Sequence, residues 1–392
     1  MAASASIALL AAGCAQLPAS SGAQLDRARF GEIDGAINAV IADRRMPGAV
    51  FHLERNGDVY EQAYGRLSYE ADAAAVDSGT VFDAASLTKI LATAPSVLLL
   101  AEAGKLDLEA PVSRYFPECG GHGKDGMTVR HLLTHSSGLP AGIPARPAWQ
   151  GDDAAHKLAC AREITDPPGT AFRYSDINYI LLGQLVQRVS GMPLDEFAQR
   201  HIFTPLKMTE TGYLPLSKFG AGRIAPTHVE GERVVQGVVH DPTSRRMGGV
   251  AGSAGVFSTA RDIARFARML LADGELDGVR ILSHDSVRLM TTAQSPAGVA
   301  QLRGMGMDID SPFARPRGAL FPVGSYGHTG FTGCILWIDP TSRTYYVFLS
   351  NRVYPDDKSN ILPLYNQLGT LAAGSALGFD FGAAGGASRA SP

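Results

Sequence analysis

Apolar residues in the stretch "RARFGEIDGAINAVIADRRMPG" stand at Phe30, Ile33, Ile37, Val40 and Ile41, a spacing that puts them on one face of a helix closed by Pro47-Gly48. The stretch that follows, "AVFHLERNGDVYEQAYG", divides at Asn56-Gly57. That dipeptide tolerates the positive φ angles of a two-residue hairpin loop, so two short paired strands are expected. Near the other end, "GCILWIDPTSRTYYVFLSNRV" reads again as strand, Asp-Pro turn and strand. Strands close to both ends with helical patterns between them predict an α+β fold. One antiparallel sheet would be built from both chain ends and flanked by helices, with a mostly helical lobe inserted.

The middle of the chain is helical in pieces. "SLTKILATAPSVLLLAEAGKL" is one piece, and Pro95 should kink or split it by withholding a backbone donor. "DINYILLGQLVQRVSG" sets Ile177, Ile180 and Leu181 on one face and stops at Gly191. "STARDIARFARMLLADG" opens on a Ser/Thr cap and ends at Gly274. The Gly/Pro-rich stretches "HSSGLPAGIPARPAW" and "MGGVAGSAG" are long enough to border a cleft. These signals divide the chain into a leader and spacer (1–24), a folded unit (25–375) and a disordered tail (376–392). Within the unit, the sheet lobe takes 25–85 and 255–375, and the helical lobe takes 86–254.

Composition narrows the class. With 392 residues, 45% hydrophobic and 19% charged, the chain can bury a sizeable core. A net charge of −3 without a basic run argues against nucleic acid as a partner. No stretch reaches the roughly eighteen consecutive apolar residues of a membrane span. The first residues, "ASIALLAAGCAQLPASSGAQ", resemble a bacterial lipoprotein signal: a short apolar stretch, Gly-Cys, then a small polar spacer. No Lys or Arg precedes it, and Ala11 stands where Leu is commoner. The reading implies export, lipidation of Cys14, membrane anchoring through that lipid, and a periplasmic or cell-envelope location. Cys119, Cys160 and Cys334 remain, an odd number without C-x-x-C spacing. That argues against a disulfide framework or a structural zinc site, and it leaves the pairing of any single bridge open.

Chemistry enters at Ser86 and Lys89, three residues apart and so on one face of a helical turn. A serine hydroxyl needs a base to become a nucleophile. Neutral lysine could serve, but lowering its pKa from about 10.4 to 7 costs roughly 4.6 kcal/mol, at about 1.36 per unit. Two more motifs stand downstream: Tyr174-Ser175-Asp176 just before a helix, and His328-Thr329-Gly330 on an apparent strand between Gly327 and Gly333. With these three motifs in order, and with "TVRHLLTHSSGLP", "VHDPTSRRMGGVAG" and "HTGFTG", the chain resembles the serine beta-lactamase superfamily from about residue 28 to 370. The nearer branch is that of class C beta-lactamases, D,D-peptidases and related carboxylesterases.

The resemblance implies roles. Ser86 would be the nucleophile of an acyl-enzyme, and Lys89 would bridge Ser86 and Tyr174. Tyr174 would be the general base or proton shuttle. The backbone N–H groups of Ser86 and Phe331 would form the oxyanion hole. Asp176, His328, Thr329 and Gly330 would bind substrate, His328–Gly330 along the strand edge. No cofactor or metal is implied. The expected activity is that of an exported carboxylesterase-type acyl hydrolase. The alternatives are a D,D-carboxypeptidase or penicillin-binding protein acting on peptidoglycan peptides, a weak beta-lactamase, or a penicillin-binding sensor without turnover. The partner would be a small ester, peptide or beta-lactam, and the oligomeric state is left open.

Two departures bear on substrate. Asp176 stands where the family's beta-lactamases usually have Asn; an ionised Asp only accepts, so it cannot donate to an amide carbonyl. It would also keep Lys89 charged, which favours Tyr174 as base. Asn178, two residues on, should face elsewhere. His328 replaces the lysine that steadies a penicillin carboxylate and is mostly neutral above pH 7. Other residues invite plainer readings. His131 and His135 lack the Glu of a zinc-protease helix and fit a structural loop beside the cleft. His240-Asp241 suits rim packing. Ser253 stands where relatives often show His, so it is given no role. Trp149 and Trp337 read as a cleft-loop contact and a sheet-face residue. The glycines of "MGGVAGSAG" do not form a nucleotide fingerprint.

Overall fold

The computed structural model describes residues 24–382. Helix α1 (Phe30–Ala42) leads to β1 (Gly48–Arg55) and β2 (Asp58–Gly65), joined through Asn56 and Gly57 at φ 49° and 86°. Positive φ at both loop residues matches the twist of the flanking strands. A two-residue strand β3 (Phe82–Asp83) then introduces the helical part: α2 (Ala94–Glu102), α3 (Val129–Leu133), α4 (Asp152–Cys160) and α5 (Asp176–Ser190). The chain returns through β4 (Phe257–Ser258), which pairs with β3, and α6 (Ala260–Leu271), capped by the Thr259 side chain. The strands β5 (Leu302–Arg303), β6 (Asp308–Asp310), β7 (Tyr326–Gly330), β8 (Cys334–Asp339) and β9 (Thr344–Ser350) follow, then α7 (Leu362–Gly374).

The seven-stranded antiparallel sheet runs β2-β1-β9-β8-β7-β6-β5, so the two ends of the chain meet at the β1–β9 pairing. Period-two alternation sends Phe51, Trp337 and Phe348 to one face, where they pack with Ile33 and Ile37 of α1 and Leu364 and Leu368 of α7. Val50, Leu336 and Val347 point the other way, into a core shared with Leu98, Ile180 and Phe266. Sheet and helical lobe are thus joined by one continuous apolar core, and its far edge carries the cleft.

Three expectations need correction. Helix α5 is not one-faced: Ile177 through Val186 are all buried, because the helix runs through the middle of its lobe. The 85–102 segment does pass for a membrane span by length and composition, yet 78% of it is buried, as befits a core helix. The tail is not disordered from residue 376: Ala376 bridges Leu25, and Phe381 packs edge-on against Phe321. Pro95 acts as expected, since a π turn (Lys89–Thr93) separates the Ser86 turn from α2. Cys119 and Cys160 form a disulfide, and Cys334 is a buried thiol. Cys14 and its signal lie outside the described residues.

Candidate active site

The turn that presents Ser86 is held from below. Asp83 accepts from the Ala85 N–H (2.9 Å) through one oxygen and from the His240 N–H (2.6 Å) through the other. Between them Ala85 is forced to φ 47°, a left-handed conformation rare for alanine. Burial pushes the Asp83 carboxyl up to about 6, with the two N–H donors opposing. The same anchor meets the strand: Thr332 Oγ1 donates to Asp83 O at 2.7 Å. A Cβ on Gly330 would stand 2.6 Å from Ala84 O, so glycine is what lets β7 lie against the Ser86 turn.

Lys89 is fully buried, and its Nζ has three acceptors. These are Ser86 Oγ at 2.9 Å, the Ser253 carbonyl at 2.8 Å and Asp176 Oδ1 at 2.7 Å. Burial alone would lower its pKa; the Asp176 carboxylate and the Tyr174 hydroxyl outweigh this and raise it. Tyr174 stands beside the ammonium, its ring centroid 5.2 Å from Nζ. Asp176 is the first residue of α5, fixed by its N–H to Ala141 O at 2.8 Å. Asn178 faces away from Lys89: its amide accepts from Ser137 Oγ (2.6 Å) and donates to His135 Nδ1 (3.1 Å).

Ser86, Tyr174, Asp176, His328, Thr329, Gly330 and Phe331 line one cleft of about 560 Å³. His328 is buried in its wall, and desolvation with the nearby Arg303 and Lys89 holds its pKa well below the usual range, so it is neutral. Phe331 is 53% exposed at the strand end, stacked on His240 and covered by Arg352. Asp241 and Ser253 also face the cleft. Sequence reasoning passed over Ser253, Asp83 and His135. Ser253 contributes through its backbone, which no side-chain pattern could flag. Asp83, three residues before Ser86, offered the signal of a carboxylate in an otherwise apolar stretch.

Among the described residues, His131 and His135 are not brought together as a ligand pair. His131 Nδ1 accepts from the Thr128 N–H as part of a helix cap, and His135 turns toward α5. Cys119, His156 and Cys160 cluster, but the two sulfurs are bonded to each other.

A family model described as Beta-lactamase matches residues 33–369. A protein of Escherichia coli O157:H7 described as "Putative D-alanyl-D-alanine carboxypeptidase" is 31% identical over 361 residues, 83% of this chain and 82% of the relative. Among solved structures, a class C beta-lactamase aligns with a TM-score of 0.72 at 21% identity, over 90% of this chain and 98% of its own. A family VIII carboxylesterase aligns at 0.67 and 22%, over 90% and 98%. These two are likenesses of fold.

Proposed function

The chain belongs to the beta-lactamase family, and from that premise we propose a serine hydrolase that acylates Ser86, acting foremost on esters. The arrangement of Lys89 carries this reading: Nζ is ion-paired with Asp176 and donates to Ser86 Oγ and the Ser253 carbonyl, which favours the ammonium over a neutral base. Tyr174 is then the relay. As Ser86 Oγ attacks the carbonyl carbon, its proton passes to the phenol oxygen and the phenol proton passes to the leaving-group oxygen. The N–H groups of Ser86 and Phe331 receive the oxyanion. Water repeats the sequence in reverse to release the acid. Asp176 offers only acceptor atoms, and the neutral His328 offers no charge, which suits an uncharged ester better than an anionic amide. A fluorophosphonate probe tests the mechanism: label mapped to any residue but Ser86 refutes it.

A D,D-carboxypeptidase reading draws support from one observation. Arg352 is the only Lys or Arg among the described residues lining the cleft, and its Nη1 is anchored by Ser359 O at 2.9 Å. A peptide's terminal carboxylate would suit it, and the E. coli relative bears that activity in its name. Rates on p-nitrophenyl acetate, a D-Ala-D-Ala peptide and nitrocefin, measured on one preparation, rank the substrates. We also propose export with lipid on Cys14, in keeping with the Cys119–Cys160 bridge, since disulfides persist in oxidising compartments. Labelled palmitate that enters a Cys14→Ala variant as readily as the parent chain would overturn it.

A further inference from the structure

Two buried imidazoles, His135 and His328, flank the Tyr174 ring, and two more buried polar side chains, Arg303 and Asp308, stand on the neighbouring strands. The His135 ring packs on Tyr174 at 4.4 Å between centroids, and His328 lies at 6.0 Å. Arg303 and Asp308 pair across β5 and β6, and Asp308 pairs with Gly327, next to His328.

Their hydrogen bonds are incomplete in a patterned way. His135 Nδ1 accepts from the Ser175 N–H (3.2 Å) and from Asn178 Nδ2 (3.1 Å), so its proton is on Nε2. His328 Nδ1 donates to Thr329 O at 2.8 Å, leaving Nε2 a bare acceptor. Arg303 Nη2 donates to Gly306 O at 2.9 Å, whereas Nη1 stands 3.6 Å from Asp308 Oδ1, beyond hydrogen-bond reach. Asp308 Oδ2 accepts from Ser311 Oγ. Three donors remain without a partner, His135 Nε2 and Arg303 Nε and Nη1, together with two acceptors, Asp308 Oδ1 and His328 Nε2. Buried polar groups are seldom left so. An anion would meet Asp308 and a cation would meet Arg303; water, which donates and accepts, can match all five.

We propose that His135, Arg303, Asp308 and His328 enclose a buried hydration site, open to the cleft past Asp308 and His328, whose waters fix His135 and through it Tyr174. His135 is a positioning residue, because it holds Tyr174 by both neighbours. Its carbonyl accepts from the Arg173 N–H at 2.8 Å, and its Nδ1 accepts from the Ser175 N–H. Protonating Nδ1 would set three donors against one another and release that grip. Burial, then Arg303, Lys89 and His328, keep His135 neutral; Tyr174, Tyr179 and Phe172 complete its surroundings. Only the kinetic consequence rests on the acyl-enzyme reading.

The test has three arms. A crystal structure of the full chain should show at least two ordered waters bonded to these five atoms; side chains satisfied by one another around a dry space would overturn the proposal. Nitrogen NMR should find His135 as the Nε2–H tautomer and His328 as the Nδ1–H tautomer down to about pH 5; an imidazolium at His135 near pH 6 would overturn it. Arg303→Met removes a charge that keeps the imidazoles neutral, so their pKa values rise and the acid limb of kcat should move up by about one pH unit. Arg303→Lys should leave that limb in place. An unmoved limb in folded Arg303→Met refutes the positioning role, and if that variant does not fold, the first two arms decide. Absence of ester hydrolysis in the parent protein would instead refute the acyl-enzyme reading, with hydration still measurable.

Discussion

Asp176→Asn isolates the charge that holds Lys89. The pair is 2.7 Å apart, with Lys89 fully buried and the Asp176 side chain 39% exposed. At an effective dielectric of about 20, Coulomb's law gives about 6 kcal/mol at that distance. Solvent at the exposed carboxylate screens much of it, and a charged hydrogen bond retains about 1.5–3 kcal/mol. Losing it lowers the Lys89 pKa in the variant. The sign follows from the causes: burial pulls the ammonium toward neutrality and Asp176 opposes it, so removing Asp176 lets burial win. The ammonium is then lost at lower pH, and the alkaline limb of kcat/KM should descend by about one to two units. The assay is ester hydrolysis across pH with buffer blanks subtracted. The amide of Asn can also donate to a substrate carbonyl, so amide substrates should gain relative to esters. An alkaline limb that stays in place or rises would refute the claim that Asp176 sets the charge of Lys89.

Gly330→Ala would drive a Cβ to 2.6 Å from Ala84 O and push β7 off the Ser86 turn; a loss of about 100-fold or more in kcat/KM is expected, and near-parental activity would show that the close approach is unnecessary. Replacing Cys119 and Cys160 together by serine opens a link between residues 41 apart, and urea unfolding should report about 2–4 kcal/mol less stability with kcat unchanged; an unaltered midpoint would count against the bridge. Burial alone would raise Glu54, but hydrogen bonds from His52, Arg268 and Tyr345 reverse this and hold its carboxyl at about 2. A depressed carboxyl stabilises above its ordinary range and loses that effect as pH falls through its folded value. Glu54→Gln should therefore destabilise by about 2–3 kcal/mol near neutral pH, with the difference closing toward pH 2; a pH-independent difference would contradict the assignment.

Asn56-Gly57, the helical spacing of α1, the Thr259 cap and the three-residue step from Ser86 to Lys89 were legible in the sequence, because each is settled by residues within a turn or two of one another. The motif order likewise brought Tyr174, Asp176 and His328 under suspicion before any geometry was known. The sequence could not show that the third acceptor of Lys89 is the Ser253 carbonyl, 164 residues away. Nor could it show that Asp83 ties the Ser86 turn to His240, or that His135 grips both neighbours of Tyr174. It left Cys119 without a partner and read α5 as one-faced. Backbone acceptors carry no residue signature, and burial depends on what the rest of the chain lays against a segment. Local hydrogen bonding and periodicity are properties of neighbours in the chain, whereas the protonation of Lys89, the neutrality of His328 and the tightness of β7 against Ala84 exist only once distant segments have excluded water together.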